Sequence, residues 1–180
     1  MKEKILRTID FGTLIDRLEN ETFKNHVDVF NVIVDDLVVL CDSNFMCYKA
    51  NMEIINARKE KDVNIKDISY FENIARTVGE SRVNRKAKIN QKINGLYNNP
   101  PTEPEGWMSD DIVYSIGEML DRISIEHIKQ NHFLFDNMED KTKASKKWQK
   151  RVMKYLTEKL DEIEKKQFYE INDEARTYKI

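Results

Sequence analysis

The chain has 180 residues, and its 30 Lys and Arg against 32 Asp and Glu give a formal net charge of −2. That balance supplies no global positive field for nucleic acid or an acidic membrane. With 40% hydrophobic and 34% charged residues but only five Gly and three Pro, the composition suits a mainly helical chain poor in turns. The opening ten residues carry charge without an apolar core and do not read as a signal peptide. The longest apolar-rich run, VFNVIVDDLVVL at 29–40, is interrupted by Asp35 and Asp36 and is too short to span a bilayer.

In chain order, the first helix is expected over 11–26, with Asp10 at its N-cap and Ile9 stapled onto Leu14. Phe11, Leu14, Ile15 and Leu18 make its apolar stripe. A second helix covers 28–59, with CDSN at 41–44 as the place for a bend. Cys41 and Cys47 would point to different faces of it; they form no disulfide framework, which places the chain in a reducing compartment, the cytoplasm. A third helix covers 68–94, on the seam Phe71, Ile74, Ala75, Val78, Ile89, Ile93 and Leu96, and accommodates Gly79.

The connector NGLYNNPPTEPEG, 94–106, holds all three prolines and should be exposed. It divides the chain into a three-helix unit, 1–97, a Pro-rich link, 98–108, and a shorter unit, 109–180. A fourth helix covers 116–137. Ser115 and Glu118 make its capping box, and Tyr114 staples onto Met119. A fifth covers 143–177, on Trp148, Val152, Leu156, Leu160, Ile163, Ile171 and Ala175. No window alternates with period two. The fold class is therefore all-α, with about five long, largely antiparallel helices in a bundle.

One sentence occurs twice. FGTLIDRLENETFK at 11–24 aligns with IGEMLDRISIEHIK at 116–129, matching Gly12 to Gly117, Asp16 to Asp121, Arg17 to Arg122, Glu21 to Glu126 and Lys24 to Lys129. Apolar positions also meet apolar ones. The duplication predicts an internal pseudo-twofold, each copy burying the other's stripe. The polar stripe Arg17, Glu21, Lys24 and its second copy read either as a solvated ladder of ion pairs or as a paired pocket. Gly12 and Gly117 at the helix starts suit close packing, or the approach of an anion to free N–H groups.

These copies, with DISYFENIARTVGESRVNRKAKINQKIN at 67–94, resemble a family of small bacterial helical proteins of unknown function whose opening runs roughly GELIDKLTILEIK. The matching later positions are Phe71, Ile74, Ala75, Arg76, Val78, Arg85, Ala87, Ile89 and Asn94. The family's acidic middle segment is poorly kept at 47–55 and better kept at FYEINDEAR, 168–176. The resemblance implies a helical fold and brings no activity; the Lys-, Asn- and Ile-rich composition and small-family character point to a phage or bacterial origin.

Two features carry candidate chemistry. The third helix's period places Arg82 and Arg85 in its seam, where a buried charge needs a carboxylate; Asp16 and Asp121 are the candidate partners. The pairs are either a structural network or the lining of an anion pocket, with Gly12, Arg17, Gly117 and Arg122 as its other members. The segments Arg76–Lys92, with six basic residues and one acid, and Lys141–Lys154, with seven and none, are local positive fields or solvated faces. No cofactor, no metal and no catalytic residue is expected. Glu118 and Asp121, on one helix face, resemble half of the Mg²⁺ site of all-α nucleotide pyrophosphohydrolases and are the pair to examine. The expected function is non-enzymatic interaction with a protein or sequestration of a small anionic ligand, by a monomer or homodimer and away from membranes. The alternatives are an enzyme or accessory factor for a phosphorylated nucleotide or nucleotide-sugar, and nucleic-acid binding through the basic helices.

Overall fold

The computed structural model describes residues 9–59, 64–97 and 115–167. Among these are five helices and no strand: α1 (Gly12–Arg17, continued by a π-turn over Leu18–Thr22), α2 (Val27–Ala57), α3 (Ile65–Leu96), α4 (Ile116–Phe135) and α5 (Glu139–Lys166). The link 98–108 and the residues after 167, including the FYEINDEAR segment, lie outside the described residues. None of the described helices is long and apolar enough to cross a membrane.

α2 and α3 form one antiparallel hairpin, bridged by Arg85 to Asp36 near one end and by Arg58 to Glu72 near the other. α4 and α5 form a second, with Ser145 bonded to Glu126 and Gln149 to the Ile123 carbonyl. α4 lies on both helices of the first hairpin. Its start meets Asn90 of α3, and its middle meets Arg82 of α3 and Asn44 of α2. The common core joins Leu14, Leu18 and Phe23 with Ile33, Leu37 and Leu40, Ile89 and Ile93, Ile116, Leu120 and Ile123, and Leu156 and Leu160.

The two copies of the repeated sentence begin alike and then diverge. The Asp10 carboxylate accepts from the Gly12 N–H at 2.9 Å and from the Thr13 hydroxyl at 2.8 Å. Ser115 and Glu118 close the capping box in both directions. The first copy then runs for six residues as an α-helix before widening into the π-turn, where the Phe23 N–H reaches the Leu18 carbonyl. That extra residue per turn lets Leu18, Thr22 and Phe23 all face the core. The second copy stays regular for 20 residues. The copies meet where the Phe11 ring packs on His127 and the His127 ring reaches the Asp10 carbonyl.

Several helix bounds differ from the expected ones. The first helix ends at Thr22, so the chain turns before His26. α2 passes through 41–44 as one helix. α3 extends from Ile65 to Leu96, taking in Gly95 and Leu96 beyond the expected end at Asn94. α5 starts at Glu139 because Asn137, at φ 57, turns the chain directly after α4.

Two glycines separate packing from permissiveness. A Cβ on Gly117 would lie 2.7 Å from the Lys86 carbonyl oxygen, so the missing side chain is what lets α4 seat on α3. A Cβ on Gly79 would meet nothing within 4 Å. Urea unfolding should therefore show Gly79→Ala gaining roughly 1 kcal/mol from helix propensity. Gly117→Ala should lose about 1–3 kcal/mol through overpacking against backbone.

Candidate functional site

The polar interior begins at Asp121, on the face of α4 that meets α2 and α3. Its carboxylate is gripped by Arg82, with Nη2 at 2.9 Å from Oδ2 and 3.1 Å from Oδ1, and Nε at 3.3 Å from Oδ1. Asn44 adds a third side, donating from Nδ2 to Oδ1 at 2.9 Å and also to the Ser124 hydroxyl. Burial works against the Arg82 charge; the hydrogen bonds and the charge of Asp121 outweigh it and hold the guanidinium above its ordinary pKa. Arg82 thus has one of the two partners expected for it.

Arg85 has a different one. It donates to Asp36 of α2 at 2.6 Å, and Lys92 reaches the other Asp36 oxygen at 2.7 Å. Burial pushes the Asp36 carboxyl up, but the hydrogen bonds from Lys92 and then Arg85, with their charges, prevail and hold it below its ordinary value. Asp16, the other expected partner, is exposed on α1. Asp36 falls in helical register with Ile33, Leu37 and Leu40, so an acid on a core stripe was the available signal.

A third polar centre joins α4, α5 and the first helix. Gln149 is fully buried. Its Oε1 accepts from Arg17 at 3.0 Å and from Gln130 at 3.2 Å, and its Nε2 donates to the Ile123 carbonyl at 2.9 Å. Nearby, the buried Glu126 accepts from the Ser145 hydroxyl and from Lys129.

The expected pocket residues are therefore brought to separate contacts. Gly12 N–H meets Asp10 and Gly117 N–H meets Asn90, both at 2.9 Å. Arg17 bonds Gln149 and lies 3.6 Å from Glu21; Arg122 is exposed. Glu118 turns back to the Ser115 N–H while Asp121 faces Arg82, so the two carboxylates do not converge. Among the described residues, no group of three or more His, Cys, Asp or Glu is placed to hold a metal ion. Burial pushes the Cys41 thiol up to about 12, so it carries no thiolate near neutrality.

The basic segments fare differently from one another. On α3, Arg76 faces Glu80, Arg82 faces Asp121, and Arg85 and Lys92 share Asp36. Four of the six cations there have carboxylate partners, so most of this field is cancelled within the molecule. On α5, Lys143 and Lys154 have exposed partners at 3.8 and 3.6 Å, and Lys141 lies over the Phe133 ring. Among the described residues, Lys146, Lys147, Lys150 and Arg151 have no carboxylate within ion-pair distance.

α5 buries Leu156, Leu160 and Ile163 of its expected seam and packs Val152 against the core, but Trp148 falls outside it. Its buried stripe is Thr142, Ser145, Gln149, Met153, Leu156, Leu160 and Ile163. Trp148, assigned to the seam by its apolar character, is 45% exposed, and Tyr155 is 43% exposed. The Gln149 contacts to three backbone and side-chain partners decide the phase, because a buried amide must be satisfied and a surface Trp need not be. The result is an outward strip with Trp148 and Tyr155 along one edge and cations beside them.

Comparison with known proteins found no matching family model, no matching curated protein and no matching solved structure.

Asp36 gives a pH test. Its carboxyl is held below the ordinary 3.8 in the fold, so its pairing stabilises above that value and the contribution is lost as pH falls through the folded one. At pH 7, Asp36→Asn should cost about 1–3 kcal/mol, the partners being partly exposed. The deficit should shrink steadily as urea titrations are repeated below pH 4.

Proposed function

We propose that the chain is a non-enzymatic binding protein that captures an anionic partner on the outer face of α5. The observation that carries this reading is the contrast between the two basic helices. α3 pairs three of its six cations at 76–92 with carboxylates of neighbouring helices, whereas α5 presents Lys146, Lys147, Lys150 and Arg151 to solvent beside exposed rings. Like charges so close together repel one another, and a polyanion relieves that repulsion while releasing its own counterions.

The other arrangement considered, an anion held by Arg17, Arg82, Arg85 and the two helix starts, would have to displace Gln149, Asp121, Asp36, Asp10 and Asn90 from their donors. An enzyme for phosphorylated nucleotides built on those groups would face the same competition. The proposed protein acts as a monomer or homodimer in the cytoplasm, where its two unpaired cysteines, Cys41 and Cys47, suit a reducing environment.

The test is retention of the full chain on immobilised heparin. The protein should bind at low salt, and the variant carrying Lys146→Gln, Lys147→Gln, Lys150→Gln and Arg151→Gln should elute much earlier with its melting temperature nearly unchanged, since all four positions are exposed. A variant that elutes with the parent protein contradicts the reading.

A further inference from the structure

We infer that the outer strip of α5 is a binding site for single-stranded nucleic acid, its bases stacking on Trp148 and Tyr155 and its phosphates lying along Lys147, Lys150, Arg151 and Lys154. The inference rests on the polyanion reading above and names the class of partner.

Trp148 and Tyr155 are seven residues apart on one helix. They therefore share an edge, displaced by about 10.5 Å along the axis at the 1.5 Å rise of an α-helix. Both rings are nearly half exposed although the same helix buries an amide, Gln149, beside Trp148 and a hydroxyl, Ser145, a turn before it. The Arg151 guanidinium lies 5.8 Å from the centre of the Trp148 ring, which joins the aromatic edge to the cationic one. Lys147, Arg151 and Lys154 follow at helical spacing on the most outward face, with Lys150 beside them; Lys154 also lies 3.6 Å from the exposed Glu158, a solvated pair that a phosphate can replace.

The combination selects among polyanions. An acidic peptide would be satisfied by the lysines and has no use for flat rings. In a duplex the base faces are hidden in the stack, and only the phosphates would remain to be read. An anionic membrane favours a broad apolar face; here Val152, between the rings, is half-buried and Leu156 is buried against the core. A single strand offers both a phosphate chain and free π-faces, which is the chemistry an aromatic edge beside a cationic one recognises. The rings accept any base, so the site should read little sequence.

The test uses the full chain. Affinity is measured by anisotropy of labelled dT and rU 20-mers, a 20-base-pair duplex and labelled polyglutamate, with phosphatidylserine vesicles as a sedimentation arm. Tryptophan emission is followed in a Trp107→Phe background, so that Trp148 reports alone. Saturable quenching by one or both single strands is expected; the dT and rU arms show whether DNA or RNA is preferred. The duplex should bind at least tenfold more weakly. Log affinity should fall with log salt at a slope of about −2 to −3, as three or four neutralised phosphates require. Trp148→Ala and Tyr155→Ala should each weaken binding by about fivefold or more at an unchanged salt slope, and Trp148→Phe should restore most of it. Lys147→Gln with Lys154→Gln should lower the slope instead. Heparin retention without quenching by either strand, equal affinity for duplex or polyglutamate, preference for vesicles, or indifference to Trp148→Ala would each overturn the nucleic-acid assignment while leaving the polyanion reading intact. Loss of heparin retention in the parent protein would remove both.

Discussion

A carboxylate on the buried face of α4 constrains this molecule more than any other group. Asp121 sits where helices α2, α3 and α4 converge, and an unpaired charge there would be severely destabilising. Arg82 answers it from α3 with a two-pronged grip, and Asn44 answers it from α2. Because both partners come from different helices, satisfying Asp121 sets how far each is advanced along its axis. A shift of one turn, about 5.4 Å, would strand the charge. Asp36 repeats the device between α2 and α3, with Arg85 and Lys92 as its partners. Apolar surfaces supply most of the driving force but are indifferent to such slips; the buried polar contacts are what distinguish one register from its neighbours.

The same economy shapes the surface. Gln149 must face inward to serve Arg17, Gln130 and the Ile123 carbonyl, and the phase of α5 puts it there. Trp148, the adjacent residue, then lies roughly a hundred degrees further round the helix, 45% exposed. On α3 Arg82, Arg85 and Lys92 turn toward carboxylates of neighbouring helices, and on α5 Lys146, Lys147, Lys150 and Arg151 do not. A chain with a formal charge of −2 thereby acquires one concentrated positive strip. Net charge sums over the whole chain and does not register the difference between these two helices, which arises only once the helices are paired.

Much of the fold could be read from pattern. The capping box at Ser115, the helical periods and the absence of period-two windows specify five helices, and the arginines in the α3 seam announce a partnered charge. Asp16 and Asp121 stand in the same sequence context, beside Ile15 and Leu18 or Leu120 and Ile123, and only the packing separates the exposed acid from the buried one. Arg85 was harder, because Asp36 lies at the far side of a hairpin whose register the sequence does not state. On α5 pattern places Leu156, Leu160 and Ile163 inside but exchanges Trp148 with Gln149: hydropathy puts Trp inside and Gln outside, while the cost of an unsatisfied amide against a half-exposed indole depends on what the facing helix offers. The π-turn at Leu18–Thr22 gave no sequence signal distinct from an ordinary helix end. The repeated sentence fixed two similar helix starts, but continuation depended on what followed: Asn25 and His26 turn the chain in the first copy, and Ile128 continues the core stripe in the second.

The most direct test is a double-mutant cycle on Arg82 and Asp121, using Arg82→Met, Asp121→Asn and the pair, with stability measured by urea unfolding at neutral pH. If this ion pair sets the register of α3 against α4, the single changes should each be costly and the double variant markedly less so than their sum, with a coupling of about 1–3 kcal/mol. Strict additivity, with each single change costing only a few tenths of a kcal/mol as at an exposed surface pair, would contradict the account.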